Sequence, residues 1–235
     1  MEYIIVYISE SIGILLVLVT LLVTYGLLSV INVSEAMAKI VEDISLLFIY
    51  MMLMSALPWF FFKQELLVPA VYSLVLALCF WRIHTENISL ESLGMAFTNL
   101  KSAIFISLAI GIPMGVVEYT ILRPAAVTPT FDVGYFTQTV VHMLFFVALG
   151  EEILFRAIIQ NSIIKSLGVA SGIFWSALYF SAMHFVWRSI PELFFTFAGG
   201  LVLGAVYYKK RNLVEPVLIH AVNNVVLLAV MPYLL

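Results

Sequence analysis

Two adjacent carboxylates, Glu151 and Glu152, are followed by Arg156 inside a stretch that is otherwise apolar. Two further polar groups recur on later apolar stretches: Phe180-x-x-x-His184, and His220-x-x-x-Asn224. Charged groups in hydrocarbon cost roughly 2.5–3.5 kcal/mol each on insertion scales, so they face one another or a wet cavity. The spacing predicts one buried polar site assembled from three segments. Neighbours on a helix point about 100° apart, so Glu151 and Glu152 cannot share one task. Glu152 and Arg156 are an i,i+4 pair on one face and neutralise each other, which leaves Glu151 for chemistry. His220 and Asn224 also lie one turn apart, and between them offer donors and acceptors that can position a water or an oxyanion.

These groups are what peptide-bond hydrolysis needs. A carboxylate beside a water acts as general base, and fixed donors stabilise the oxyanion. Glu151, His184 and His220 could also hold Zn²⁺ or another divalent metal with a position open for water. The residues therefore permit a metal-dependent and a metal-free mechanism. Each motif also has a plainer reading. The Glu–Glu–Arg triad can lock helix to helix, and His and Asn are interhelical hydrogen-bonding residues in membranes. It is the co-occurrence of all three that favours a site. Other protease patterns are absent or weak. There is no His-Glu-x-x-His. Ser171, in Val169-Ala170-Ser171-Gly172, reads as a residue near a helix start, and Asp43 and Asp132 fall in polar breaks.

The elements that must position these groups are membrane helices. Of the 235 residues, 63% are hydrophobic and 11% charged, and the mean hydropathy is +1.11. A soluble chain of this length needs more polar surface. Eight spans are expected, at about 11–31, 44–62, 66–81, 102–122, 136–160, 168–187, 192–208 and 213–233. The runs lack the strict alternation of a membrane barrel. The expected fold is an all-α, polytopic bundle of about eight helices, a single transmembrane domain over 1–235 with its catalytic core over about 100–235. Pro58 and Pro69 suggest a hairpin or re-entrant pair, and Leu93-Gly94-Met95-Ala96-Phe97 a short interfacial helix. The net charge of -3 gives no reason to expect nucleic acid, and the single cysteine, Cys79, excludes a disulfide framework. Glu118 is expected either near the interface, paired locally with Arg123, or, as the lesser alternative, lining the cavity. Asn223 is expected to point away from Asn224, and His142 to lie outside the site.

The three motifs, in this order on late spans, resemble the CPBP family of intramembrane proteases, which includes Rce1-type CAAX prenyl endopeptidases and bacterial Abi proteins. The matching runs are Glu151-Glu152-Ile153-Leu154-Phe155-Arg156, Phe180-Ser181-Ala182-Met183-His184 and His220-Ala221-Val222-Asn223-Asn224, joined by Gly200-Leu201-Val202-Leu203-Gly204 and Pro216. Ala157 departs from a common Gly. The resemblance implies an endopeptidase at the cell membrane that cuts a membrane-associated peptide or protein. Glu151 would activate water with help from His184, and His220 and Asn224 would hold the water, a metal or the oxyanion. Glu152, Arg156 and Phe180 would support them. Two rivals remain: a non-catalytic scaffold or immunity protein, and a small proton-coupled transporter.

Overall fold

Long apolar runs bounded by Asn, Pro, Gly and Ser fold as helices because a bilayer leaves each backbone N–H and C=O to be satisfied within its own segment. The structure, a computed structural model, describes residues 1–56, 64–89, 91–95 and 99–235. The described elements are all helical. Helix α1 is Glu2–Tyr7, α2 Glu10–Val30, α3 Glu35–Ala56, α4 Gln64–Thr85 and α5 Leu100–Leu122. Helix α6 runs continuously over 133–167, but α-helical Leu149–Glu152 is flanked by π-helical Met143–Ala148 and Ile153–Gln160. Helix α7 is α-helical Val169–Ala182 continued by a tight turn, Met183–Trp187. Helices α8, Ile190–Lys210, and α9, Val214–Tyr233, complete the chain.

Six of these helices, α2, α4, α5, α7, α8 and α9, are long and apolar enough to cross a membrane. The protein is an integral, polytopic membrane protein. The expected spans at 44–62 and 136–160 fall on α3 and α6, which are not among the six, though 57–62 of the first lie outside the described residues. The former follows Glu35, Lys39, Glu42 and Asp43, and the latter carries Glu151, Glu152 and Arg156. The expected turn at Pro58 lies outside the described residues, whereas Pro69 sits inside α4. Helix α2 turns Leu15, Val19, Leu22 and Val23 outward, as a lipid-facing helix does. By contrast, α6 is central: Ile153, Phe155, Arg156 and Ile159 are fully buried.

No interfacial helix forms over the described part of 93–97. Leu93 is buried, and Gly94 adopts φ +75°, where a Cβ would fall 2.5 Å from the Arg211 carbonyl oxygen. A residue in that region ends a helix. The Gly94 carbonyl instead accepts from the Leu213 N–H at 2.8 Å, tying this turn to the start of α9.

Two glycines let α5 and α9 touch backbone to backbone. A Cβ on Gly111 would lie 2.7 Å from the Ile219 carbonyl oxygen, and one on Gly115 2.6 Å from that of Asn223. Small residues four apart permit such close crossing in membranes. Arg82 of α4 binds Asp43 at 2.7 Å and Glu42 at 2.9 Å, bracing α4 against α3.

Helix α1 docks on the turn that follows His184. Tyr3 and Tyr7 meet Phe185 edge-on, and Arg188 donates to the Val6 carbonyl at 2.7 Å. A cavity of about 250 Å³ lies beneath, lined by residues that include Glu2, Glu10, Tyr50, Met183 and Arg188.

Two outcomes follow from this packing. Gly115→Leu overpacks the α5–α9 contact and lowers stability by about 1–3 kcal/mol, read as a fall in Tm in detergent. Gly26→Ala, whose Cβ meets nothing within 4 Å, leaves Tm within error. Burial pushes the Glu2 carboxyl up to about 7 from its ordinary 4.5. The docked helix therefore favours neutral Glu2. Its contribution to docking is complete below about pH 4.5 and is lost as pH rises through about 7. Amide exchange in α1 should accelerate across that range beyond the intrinsic rise with pH, and Glu2→Gln should remove the excess.

Candidate active site

Arg156 is fully buried and so needs partners. Its Nε donates to Glu152 Oε2 at 2.9 Å, and Nη1 donates to Ser176 Oγ on α7 at 3.2 Å. Ser176 in turn donates to the Phe155 carbonyl at 2.7 Å. The guanidinium carbon lies 5.0 Å from the centre of the Phe180 ring, a cation–π contact. Glu152, also fully buried, uses its other oxygen for α9: Oε1 is 2.9 Å from His220 Nδ1. One carboxylate thus joins α6 to α9 and, through Arg156, to α7.

His220 bridges to the second carboxylate. Its Nδ1 is held by Glu152, and its Nε2 lies 3.9 Å from Glu151 Oε2. Glu151 is not free of protein partners. Its Oε1 accepts from Tyr50 of α3 at 2.8 Å and from Tyr72 of α4 at 2.5 Å. Those two phenols also touch, at 2.6 Å. The short α-helical segment bearing both carboxylates is framed by π-helical turns, which are frequent at functional sites.

Phe180 forms one wall. Its ring meets Phe155 and His220 edge-on, with centroids 5.4 Å and 5.7 Å apart, and tilts against His184 at 4.8 Å. His184 Nδ1 pairs with the Phe180 carbonyl at 2.9 Å. The turn after Ala182 tightens at this point, over Met183–Trp187.

A small chamber of about 20 Å³ lies among Phe180, His184, His220, Asn223, Asn224 and Glu118. It has room for a water and no more. Of the seven residues singled out in the sequence, Phe180, His184, His220 and Asn224 line this chamber, and Glu151, Glu152 and Arg156 join it through His220 and Phe180.

Two expectations need correction. Glu118 is buried and accepts from Asn223 Nδ2. It faces Glu192 of α8 and lines the chamber. Asn223 does not point away; its Nδ2 is also 3.2 Å from Asn224 Oδ1. The close Gly111–Gly115 contact brings the α9 backbone at Ile219 and Asn223 against α5, the helix that carries Glu118. In addition, Glu151, left for chemistry by the Glu152–Arg156 pairing, has two tyrosine partners that the sequence reading did not include. His142 packs edge-on against Phe146 and is not among the chamber's lining residues. Small-residue spacing at Gly111 and Gly115 was a usable signal for the α5 contact. Nothing in the spacing of Tyr50 or Tyr72 distinguishes them from core aromatics.

Residues 134–226 match the family described as type II CAAX prenyl endopeptidase Rce1-like. The resemblance read from the three motifs holds over this segment, which spans α6 to the middle of α9. No curated protein and no solved structure matches the chain. An Rce1-like segment within a bundle of membrane helices supports an intramembrane endopeptidase.

The donor chemistry suits a divalent metal in one respect. Each imidazole has its Nδ1 engaged, His184 by a carbonyl and His220 by a carboxylate, which is how metal-bound histidines are oriented. Yet no three His, Cys, Asp or Glu donors converge on one point among the described residues.

Replacing Arg156 by Met strands Glu152 in the interior. Breaking a buried pair from one side costs about 3–5 kcal/mol. The expected result is a sharp loss of Tm in detergent, whereas Arg188→Met, at an exposed residue, should cost far less.

Proposed function

We propose that the protein is an intramembrane endopeptidase that hydrolyses a peptide bond of a membrane-associated substrate with a water activated by Glu151. The carrying observation is the 3.9 Å gap between Glu151 Oε2 and His220 Nε2. That separation suits a water hydrogen-bonded to both. With His220 neutral and its Nδ1–H given to Glu152, Nε2 is an acceptor. The water then donates one hydrogen to Nε2 and one to Oε2, and its oxygen lone pair faces the substrate carbonyl.

As the water oxygen bonds to the carbonyl carbon, its proton passes to Glu151 Oε2. Asn224, whose Oδ1 is engaged by Asn223, has its amide N–H groups for the developing oxyanion, and His184 assists from the other wall. When the C–N bond breaks, Glu151 returns the proton to the leaving nitrogen. Glu152 keeps His220 in the required tautomer and orientation, and Arg156 keeps Glu152 charged in an apolar interior. The substrate class is a peptide presented from the bilayer, and the proposed location is the cell membrane.

The orientation of the two imidazoles favours a second reading, in which Glu151, His184 and His220 would hold Zn²⁺ or another divalent ion that would supply a Lewis acid for the water, but these donors would have to draw together, since they do not converge as they stand. The rivals from other classes are the scaffold or immunity protein and the proton-coupled carrier.

Purified protein in detergent, given a library of membrane peptides, should cleave a subset. Glu151→Ala should lower the rate by at least about a hundredfold, the scale of a lost general base. Cleavage that survives in Glu151→Ala would overturn the proposed role of Glu151. Loss on chelation, reversed by Zn²⁺, would support the metal reading, and full resistance the metal-free one. Proton-coupled uptake in proteoliposomes without cleavage would favour the carrier.

A further inference from the structure

The family match begins at residue 134, but the immediate partners of Glu151 do not lie within it. Tyr50 and Tyr72 come from α3 and α4, separated from Glu151 by 101 and 79 residues. Both phenols converge on one oxygen, Oε1, and leave Oε2 on the side of His220. This asymmetry suggests a task. A carboxylate whose two oxygens were equally solvated could rotate; one held at Oε1 by two O–H donors presents Oε2 in a fixed direction.

The surroundings are built for that contact. Tyr50 and Tyr72 are nearly fully buried. Glu151 follows Gly150, where an added Cβ would come within 3.1 Å of Tyr72 Cδ1. A side chain there would press on the ring that reaches Glu151. The Arg82 network braces α3 against α4 about two to three turns from the tyrosines, so the rings have fixed bases. Tyr50 also forms part of the 250 Å³ cavity beneath α1 and stands between that space and Glu151. Two phenol protons serve three short O···O contacts, so the triangle has no donor to spare for another acceptor.

We propose that Tyr50 and Tyr72 are positioning residues that lock Oε1 of Glu151 so that Oε2 aims at the water held by His220. The groups that face Glu151 are the two phenols from α3 and α4 and His220 from α9, with Glu152 and Arg156 next along its own helix. For its kinetic part the inference rests on the peptidase reading above.

The test compares wild type with Tyr50→Phe, Tyr72→Phe and the double variant, all of which keep the rings. Kinetics and infrared spectra are read side by side. Each single change should lower kcat about tenfold with KM unchanged, the scale of a hydrogen bond to a charged group. The double variant should lose less than the product of the two, because the phenols share one oxygen. A structural role alone would not split kcat from KM in this way. The carboxylate stretch of Glu151, isolated by subtracting the spectrum of Glu151→Gln, should shift in both single variants. If the double variant does not fold, the single variants carry both comparisons.

An unmoved band overturns the clamp whatever the kinetics show. A moved band with unchanged kcat overturns the positioning role. A wild type that cleaves no peptide overturns the peptidase reading and the kinetic role with it, and the band then decides separately whether the phenols hold the carboxylate.

Discussion

A guanidinium with no solvent exposure, Arg156, is the constraint around which the polar interior is organised. It cannot be left uncompensated, because an isolated buried charge costs several kcal/mol even after relaxation. Glu152 meets that need, and in doing so becomes a fixed anion with one oxygen to spare. That oxygen takes His220. The imidazole is then oriented with its second nitrogen toward Glu151. Ser176 and the Phe180 ring complete the shell around Arg156, so α7 is tied to α6 by the same charge. A single ion pair thereby sets the relative placement of three helices.

The small residues act in concert with that pair. Gly111 and Gly115 admit α9 against α5, which carries His220, Asn223 and Asn224 inward. Gly200, where a Cβ would sit 3.0 Å from Ala177, does the same between α8 and α7. Helices that approach this closely leave little space between them, and the chamber of about 20 Å³ is the result. Tight packing and a polar interior are usually in tension in a bilayer. Here most of the polar groups pair with one another, the condition under which they are tolerated, although Arg156 Nη2, Asn223 Oδ1 and both Glu192 oxygens have no hydrogen-bond partner among the described residues.

Much of this was legible in the chain before its fold was known, for identifiable reasons. The Glu152–Arg156 pair follows from helical spacing alone. The convergence of three motifs follows from the cost of isolated polar groups in hydrocarbon. What could not be read was which helix faces which. His220 binds Glu152 as well as approaching Glu151, because the rotation of α9 is set by glycine contacts with α5. Glu118 was assigned to Arg123 by proximity in sequence, yet its partner is Asn223, 105 residues away. Tyr50 and Tyr72 sit in apolar runs where a tyrosine ordinarily packs, and a hydroxyl carries no periodic signature. Among the described residues, the expected spans on α3 and α6 are not among the six helices long and apolar enough to cross, the end of the first lying outside the described residues.

Motif possession and site completeness are separable in this chain. The three motifs, and the whole segment that resembles a known family, lie after residue 133. The donors that hold Glu151 lie before residue 73. A fragment excised at the motif boundaries would keep every diagnostic residue and lose the furniture of its central carboxylate. Grafting α6 to α9 onto a foreign set of leading helices would meet the same difficulty, since the recipient would have to offer two hydroxyls at matching depth. The portable unit is therefore larger than the recognisable one, and its outer limit is drawn by hydrogen bonds that no local pattern advertises.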